Sequence, residues 1–355
     1  MNISVIGISH KTAPIGIREK FYLTPTEQEL FLSELKNNPR LVEAFILSTC
    51  NRTEVYCHTI DMGIDITLIV NLISTIKKNK LDGPFEKYFY IYNAQEAVEH
   101  LLKVISGLDS LVLGEKQILG QVKAAIDQAR LKGMFTRYFN LLAAIAVRAG
   151  KKVQTETDIG FGGSSVSWAA VAMAEKVLGS LEDKSVLILG AGEMSKLAVG
   201  QISNKKFKKL YVMNRTPCHA QALAEKFNGI AVSFCDIKEI LSQVDVCICS
   251  ASAPHYILDK ETVEKIMPER NARKLIFIDI SMPRNIDPRV AEAPNVLLFE
   301  IDDLDKVVEE SMEKRQAAVV QVQKIIDAKL KEFTRKMAKI TSLRNTDYYQ
   351  AAHAV

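Results

Sequence analysis

Apolar and polar residues change their spacing three times along the chain. An apolar run at Ile3–Ile8 predicts a strand, and Thr24-Pro25-Thr26 opens a helical span over Thr26–Leu35. Pro25 suits a first helical turn, and Glu27 and Glu29 suit its positive end. Strands are expected around Ala44–Thr49 and Glu54–His58, an apolar helix over Ile64–Ile76, and a strand over Phe89–Ile91. The order βαββαβ predicts a ferredoxin-like α+β unit. Two or three helices then occupy Ala94–Lys132 and Tyr138–Val153.

The second change comes near Thr155-Glu156-Thr157-Asp158, where Gly160-Phe161-Gly162-Gly163-Ser164-Ser165 reads as a junction and a plausible hinge. A helix over Val166–Leu178 leads into strand Ser185–Leu189, helix Glu193–Ile202 and strand Lys209–Met213, with later strands at Val244–Cys249 and Leu275–Ile280. Strands alternating with helices predict a parallel, doubly wound Rossmann-type sheet. The third change begins at Asp302. To about Ile340 there is no internal Gly or Pro, and Leu304, Val308, Met312, Val319, Val322, Ile326, Leu330, Phe333 and Met337 recur at helical spacing. One helix of that length spans on the order of 60 Å. Such a stripe exceeds what one small domain covers, so a bridging or dimerising spinal helix is expected. The fold class is therefore α/β in three parts: an N-terminal α+β domain over 1–153, a nucleotide domain over 154–300, and a long C-terminal helix region over 301–355.

The bulk numbers change little in this picture. A net charge of +4 over 355 residues neither requires nor excludes a nucleic-acid partner. Six cysteines show no paired framework, no secretory signal precedes them, and no apolar stretch approaches the roughly 20 residues that cross a bilayer. A reducing cytoplasm is expected, without membrane attachment. Cys247 and Cys249 alternate along a buried-looking strand and are expected to pack in its core.

Candidate chemistry concentrates at Leu47-Ser48-Thr49-Cys50-Asn51-Arg52-Thr53-Glu54. An apolar strand delivers a cysteine into a polar loop, and a neighbouring arginine is expected to favour the thiolate. A second reading is a thiol that only fills space. A second motif, Gly190-Ala191-Gly192-Glu193-Met194-Ser195, follows an apolar strand and opens a helix. Glycines there permit a tight turn and close approach to a pyrophosphate, which the helix N-terminus attracts. At the end of the next strand stands Asn214-Arg215-Thr216 instead of an acidic residue, a cation and hydroxyl suited to a 2′-phosphate. NADPH is expected over NADH. A thiol in one domain and a nicotinamide site in another suggest reduction of an acyl thioester to an aldehyde.

Three stretches give these parts a relative. Gly7-Ile8-Ser9-His10-Lys11-Thr12-Ala13-Pro14, Ser48 to Glu54, and Gly107-Leu108-Asp109-Ser110-Leu111-Val112-Leu113-Gly114-Glu115-Lys116-Gln117-Ile118-Leu119-Gly120-Gln121 resemble glutamyl-tRNA reductase. Thr155-Glu156-Thr157 and Pro283-Arg284 with Asp287-Pro288 resemble further motifs of that family. The resemblance implies NADPH-dependent reduction of glutamyl-tRNA to glutamate-1-semialdehyde, the first step of tetrapyrrole synthesis. It makes Cys50 the nucleophile and His100 a histidine needed for full activity, on chemistry able to take or shuttle the thiol proton. Thr49, Asn51, Arg52, Ser110, Glu115, Lys116, Gln117 and Gln121 become substrate-binding positions, with Arg52 suited to the substrate's side-chain carboxylate; on charge alone, Glu115 is expected to pair with its α-ammonium. His10 is assigned to turn structure, and no metal is expected, because the remaining histidines lack ligand spacing.

The same resemblance implies a homodimer through the C-terminal helix and hand-over of the aldehyde to glutamate-1-semialdehyde aminotransferase. Family members commonly continue some tens of residues past the long helix, whereas the chain as given runs to Val355 through Asn345–Tyr349. Asn285 stands where the family usually has aspartate, Gln154 where it often has arginine, and Ala251 where it usually has serine. Competing readings are an acyl-thioester reductase independent of tRNA, a tRNA-binding paralogue without catalysis, and a shikimate-type dehydrogenase.

Overall fold

The computed structural model describes residues 2–61, 64–78, 81, 83–160, 165–305, 307 and 316–352; from Thr341 onward, and at Gln316, only the backbone is considered. The hinge expected at Gly160–Gly163 and the stripe positions Val308 and Met312 therefore fall wholly or partly outside the described residues. Two compact units emerge, one from Met1–Gly162 with Glu313–Val355, the other from Gly163–Met312.

The first unit is built on a four-stranded antiparallel sheet. β1 (Ile3–Ser9), β2 (Leu41–Ser48), β3 (Arg52–Thr59) and β4 (Tyr90–Asn93) lie in the order β2-β3-β1-β4. With the helices between them this is the ferredoxin-like arrangement read from the sequence. Two helices connect β1 to β2. α1 (Ile15–Phe21) was not legible in the sequence, while α2 (Pro25–Leu35) starts with Thr24 and Glu27 capping each other. α3 (Ile66–Lys77) precedes β4, and α4 (Ala94–Ile105), α5 (Gln117–Leu131) and α6 (Arg137–Glu156) follow it.

Buried Glu43 in β2 ties sheet to helix. Its Oε1 accepts from the amides of Thr136 (2.7 Å) and Phe139 (2.9 Å) at the start of α6, and its Oε2 pairs with His58 Nδ1 at 2.9 Å. The boundary expected at 153/154 falls inside α6. Ile159, beyond that boundary, lies in the core of the first unit.

The second unit holds a six-stranded parallel sheet. Its strands are β5 (Ser185–Leu189), β6 (Lys209–Met213), β7 (Ile230–Val232), β8 (Val246–Cys249), β9 (Leu275–Asp279) and β10 (Val296–Glu300). Their order is β10-β9-β8-β5-β6-β7, so the chain reverses direction of winding between β5 and β8. Crevices at such a point, beyond the carboxyl ends of the strands, take ligands in open α/β sheets. The helices are α7 (Val166–Leu178), α8 (Glu193–Ile202), α9 (Pro217–Lys226), α10 (Ile237–Gln243) and α11 (Lys260–Ile266). Cys247 and Cys249 are fully buried on β8.

α12 (Gln316–Ala352) is the long helix. Its apolar stripe is real, but the expectation that one domain cannot cover it is corrected for Ala318 to Met337. Ala318, Val322, Ile326, Leu330, Phe333 and Met337 are buried in the first unit's core, where α12 packs on α4 and α6. Arg148 of α6 also pairs with Glu332 at 2.9 Å. The sequence shows a stripe but not the two helices, far away along the chain, that cover it.

Candidate active site

The turn Thr49–Asn51 joins β2 to β3 and carries Cys50 at its tip. Thr49 N donates to Arg52 O (2.8 Å), Asn51 N donates to Thr49 Oγ1 (3.2 Å), and His10 N donates to Asn51 O (2.9 Å). Two neighbouring strands therefore fix the cysteine's backbone, and the thiol is part-buried rather than sealed in the core. Burial also pushes His10 down to about 4, with Arg52 adding to the effect.

Arg52 acts on that thiol in the direction the sequence suggested, but burial outweighs it and its hydrogen bonds go to other groups. Its Nη1 donates to Glu54 Oε1 and to Asp109 Oδ2, each at 2.8 Å, and its Nη2 donates to the Asp109 carbonyl. Burial pushes the Cys50 thiol up to about 12, buried Glu115 adds to this, and Arg18 and Arg52 offset it only in part. Thiolate-favouring effects at this site are thus outweighed in the free protein.

Glu54 is the organising group that sequence reasoning missed. It is fully buried and gathers four donors: Arg52, His100 Nε2 at 2.8 Å and Tyr90 hydroxyl on Oε1, and Tyr56 hydroxyl at 2.7 Å on Oε2. Burial opposes its charge, yet Arg52 and His100 hold its carboxyl far below the usual range. His100, on α4, points its Nε2 at this carboxylate, with the Tyr90 and Tyr92 rings against it at 5.3 and 4.9 Å between centroids. The only signal in the sequence was that Glu54 alternates with Arg52 on one strand, which makes them neighbours on the same face.

The loop Gly107–Glu115 supplies the second wall. Gly107 and Gly114 both take positive φ (+73° and +79°). A Cβ on Gly114 would run into the backbone of Ile159, so glycine permits a close approach there. Ser110 and Glu115 are buried at 8% and 5% exposure. Burial raises Glu115 to about 7, with Arg52 and Ser110 pulling the other way. Gln117 opens α5 and Gln121 stands one turn further on, while exposed Lys116 gives its carbonyl to Gln154 Nε2 at 2.9 Å. Asn51 Oδ1 and Gln117 Oε1 are buried and accept no hydrogen bond. Buried acceptors without donors are costly unless a ligand supplies one.

The second unit carries the nucleotide site. A cavity of about 690 Å³ is lined by Gly190, Ala191, Gly192, Asn214, Arg215, Thr216 and His219, and by the segment after β8. Gly190 has φ +115°, and a Cβ on it would stand 3.0 Å from the backbone of Ser250 and Ala251. A Cβ on Gly192 would meet no protein atom, which leaves room for a diphosphate at the uncapped start of α8. Thr216 likewise leaves the start of α9 without a side-chain cap, beside the exposed Arg215. These features fit a dinucleotide with a 2′-phosphate. The other three fingerprint residues support the loop from outside the cavity wall. Glu193 pairs with Lys196 (2.5 Å), Met194 O accepts from Ser167 Oγ (2.8 Å), and Ser195 Oγ meets Ser250 Oγ (2.6 Å). Among the described residues, no helix is long and apolar enough to cross a membrane, and no group of three or more His, Cys, Asp and Glu could hold a metal ion.

Comparison with known proteins matches both units. The family described as "Glutamyl-tRNAGlu reductase, N-terminal domain" matches residues 6–157, and "Shikimate / quinate 5-dehydrogenase" matches 172–307. A glutamyl-tRNA reductase of Thermodesulfovibrio yellowstonii is 39% identical over 350 residues, covering 97% of this chain and 81% of the relative. One from Carboxydothermus hydrogenoformans is 40% identical, covering 94% and 74%. The solved glutamyl-tRNA reductase of Methanopyrus kandleri is 30% identical with a TM-score of 0.52, covering 97% of this chain and 82% of that one.

Proposed function

The chain belongs to the glutamyl-tRNA reductase family, and from that premise we propose how its residues carry out the reduction of glutamyl-tRNA by NADPH to glutamate-1-semialdehyde, the first step of tetrapyrrole synthesis. The observation that carries the reading is the placement of Cys50 at the tip of the hydrogen-bonded turn between β2 and β3, within electrostatic reach of Arg52 and Glu115. Arg52, fixed by Glu54 and Asp109, retains N–H donors beyond those used, and these take the substrate's side-chain carboxylate. Asn51 Oδ1, Gln117 Oε1 and Glu115 take the α-ammonium, with Thr49, Ser110, Lys116 and Gln121 completing the pocket.

That binding mode also explains how a thiol held up by burial and Glu115 becomes a nucleophile. An ammonium beside Glu115 ionises the carboxyl and neutralises it in the same event, which removes the like-charge opposition to a Cys50 thiolate. The sulfur then attacks the ester carbonyl, the C–O bond to the ribose breaks, and the thiol proton ends on the ribose oxygen. His100, bonded to Glu54, acts through the Arg52 cluster more directly than on the sulfur. NADPH, when bound, supplies the hydride that takes the thioester to the aldehyde. Gly190, Ala191 and Gly192, supported by Glu193, Met194 and Ser195, hold its diphosphate, and Asn214, Arg215 and Thr216 hold its 2′-phosphate.

Acyl transfer is assigned to the first unit and cofactor binding to the second. Homodimerisation through the helix region 301–355, residence in the cytoplasm, and delivery of the reactive aldehyde to an aminotransferase belong to the same proposal. A single-turnover assay with glutamyl-tRNA tests its centre. The parent forms a glutamyl-enzyme adduct without NADPH and aldehyde with it, and Cys50→Ser does neither. A parent that binds the tRNA but never acquires the glutamyl group would sink the proposal.

A further inference from the structure

β9 ends at Asp279, which is 1% exposed, and the chain then folds back on that carboxylate. Asp279 Oδ1 accepts from Ser281 N (2.9 Å), and its Oδ2 accepts from Asn285 N (2.8 Å) and Ile286 N (2.9 Å). The returning loop presents Asn285, wholly buried, to the segment after β8. Asn285 Nδ2 donates to Ala253 O at 2.9 Å and His255 O at 3.2 Å, and its Oδ1 accepts from Ala253 N at 3.4 Å. Its own carbonyl accepts from Ile257 N (2.6 Å) and Leu258 N (3.2 Å). Ala253, His255, Tyr256 and Ile257 line the cofactor cavity, yet they lie outside any regular helix or strand. One buried residue therefore fastens that wall, through its side-chain amide at Ala253 and His255 and through its own carbonyl at Ile257 and Leu258.

We propose that Asn285 is a positioning residue for NADPH, holding the cavity wall Ala253–Ile257 in its binding shape through the two carbonyls to which its side chain donates. The inference deepens the cofactor reading above and rests on it. Donation is the essential property. The family resemblance makes 285 a usual aspartate position, but a carboxylate only accepts, and set against the carbonyls of Ala253 and His255 it would turn them away. Asparagine and this particular course of the wall thus belong together in this chain. Asn285 touches no reacting group, so its loss acts on cofactor affinity and leaves the chemistry at Cys50 alone.

The test compares the full chain with Asn285→Asp, which keeps size but removes donation, and with Asn285→Ala. NADPH affinity is titrated by cofactor fluorescence, and acylation of Cys50 by glutamyl-tRNA is measured without NADPH. Both variants are expected to weaken NADPH binding about tenfold or more, the scale of losing buried hydrogen bonds, with acylation unchanged. Should Asn285→Ala fail to fold, Asn285→Asp decides. Unchanged NADPH affinity in a folded Asn285→Asp would overturn the proposal, as would equal losses in affinity and acylation, which mark a residue of general stability. A parent that acylates but binds no NADPH would overturn the cofactor reading itself, an outcome distinct from parent and variant binding alike.

Discussion

Arg52 and Glu54 form an ion pair at 2.8 Å with side chains 1% and 0% exposed, on alternate positions along one face of β3. Burying two charges is costly, and it is tolerated because the remaining lone pairs of Glu54 are filled by His100, Tyr90 and Tyr56. Glu54→Ala should therefore destabilise the first unit by about 3 kcal/mol, the cost of stranding a buried cation that keeps only Asp109. Urea unfolding checks this. An effect below about 1 kcal/mol would show Arg52 escaping to solvent, contrary to the packing around it.

Glu115 predicts a specific pH dependence. Its carboxyl moves from an ordinary 4.5 in the unfolded chain to about 7 when folded, chiefly through burial. A raised folded value means the contribution is full below 4.5 and lost as pH rises through about 7. Over that window the difference corresponds to about 3 kcal/mol. Glu115→Gln should flatten the loss, making the variant more stable relative to the parent at pH 8 than at pH 4. The same substitution removes a charge that adds to the burial holding the Cys50 thiol up. Iodoacetamide should then label Cys50 slowly in the parent, behind exposed Cys218 and Cys235, and faster in Glu115→Gln.

Phe333 offers a check on where the long helix belongs. It is 1% exposed and sits in the first unit's core, whereas Val320 on the same helix is 55% exposed. Phe333→Ala should cost roughly 3–5 kcal/mol and Val320→Ala well under 1. A Phe333→Ala protein as stable as the parent would mean that α12 does not dock on α4 and α6 in solution.

How much of this was legible beforehand depended on the range of the information needed. Ser185–Leu189, Glu193–Ile202 and Lys209–Met213 form as read, because an apolar run closed by Gly190-Ala191-Gly192 is a local signal. α1 escaped notice because its seven residues begin after Pro14 without a side-chain cap and show too few turns to establish a period. β7 is only three residues long, and β10, at five, shows a less buried pattern than β5. The turn carrying Cys50 was readable, but the state of its thiol was not. That state depends on Glu115, 65 positions away, and on burial that no local pattern reports. Glu43 and Glu54 look like ordinary strand carboxylates until the fold brings amides, hydroxyls and histidines to them.

Gly190 and Gly192 differ in a way the shared motif conceals. At Gly190 a Cβ would press on the backbone of Ser250 and Ala251 at 3.0 Å, at a φ of +115° that other residues rarely adopt. Gly190→Ala should therefore perturb the second unit itself as well as its ligand. At Gly192 a Cβ would touch nothing in the protein, and the backbone is in the extended region with φ −78°. Gly192→Ala should fold with an unfolding midpoint close to the parent's, because the only space it takes is that intended for the diphosphate. NADPH affinity should still fall at least about tenfold, since the added methyl group keeps phosphate oxygens from the amides at the start of α8. Calorimetric unfolding and NADPH titration of both variants separate the two effects. If Gly192→Ala bound NADPH as tightly as the parent, the diphosphate would have to lie elsewhere in the cavity.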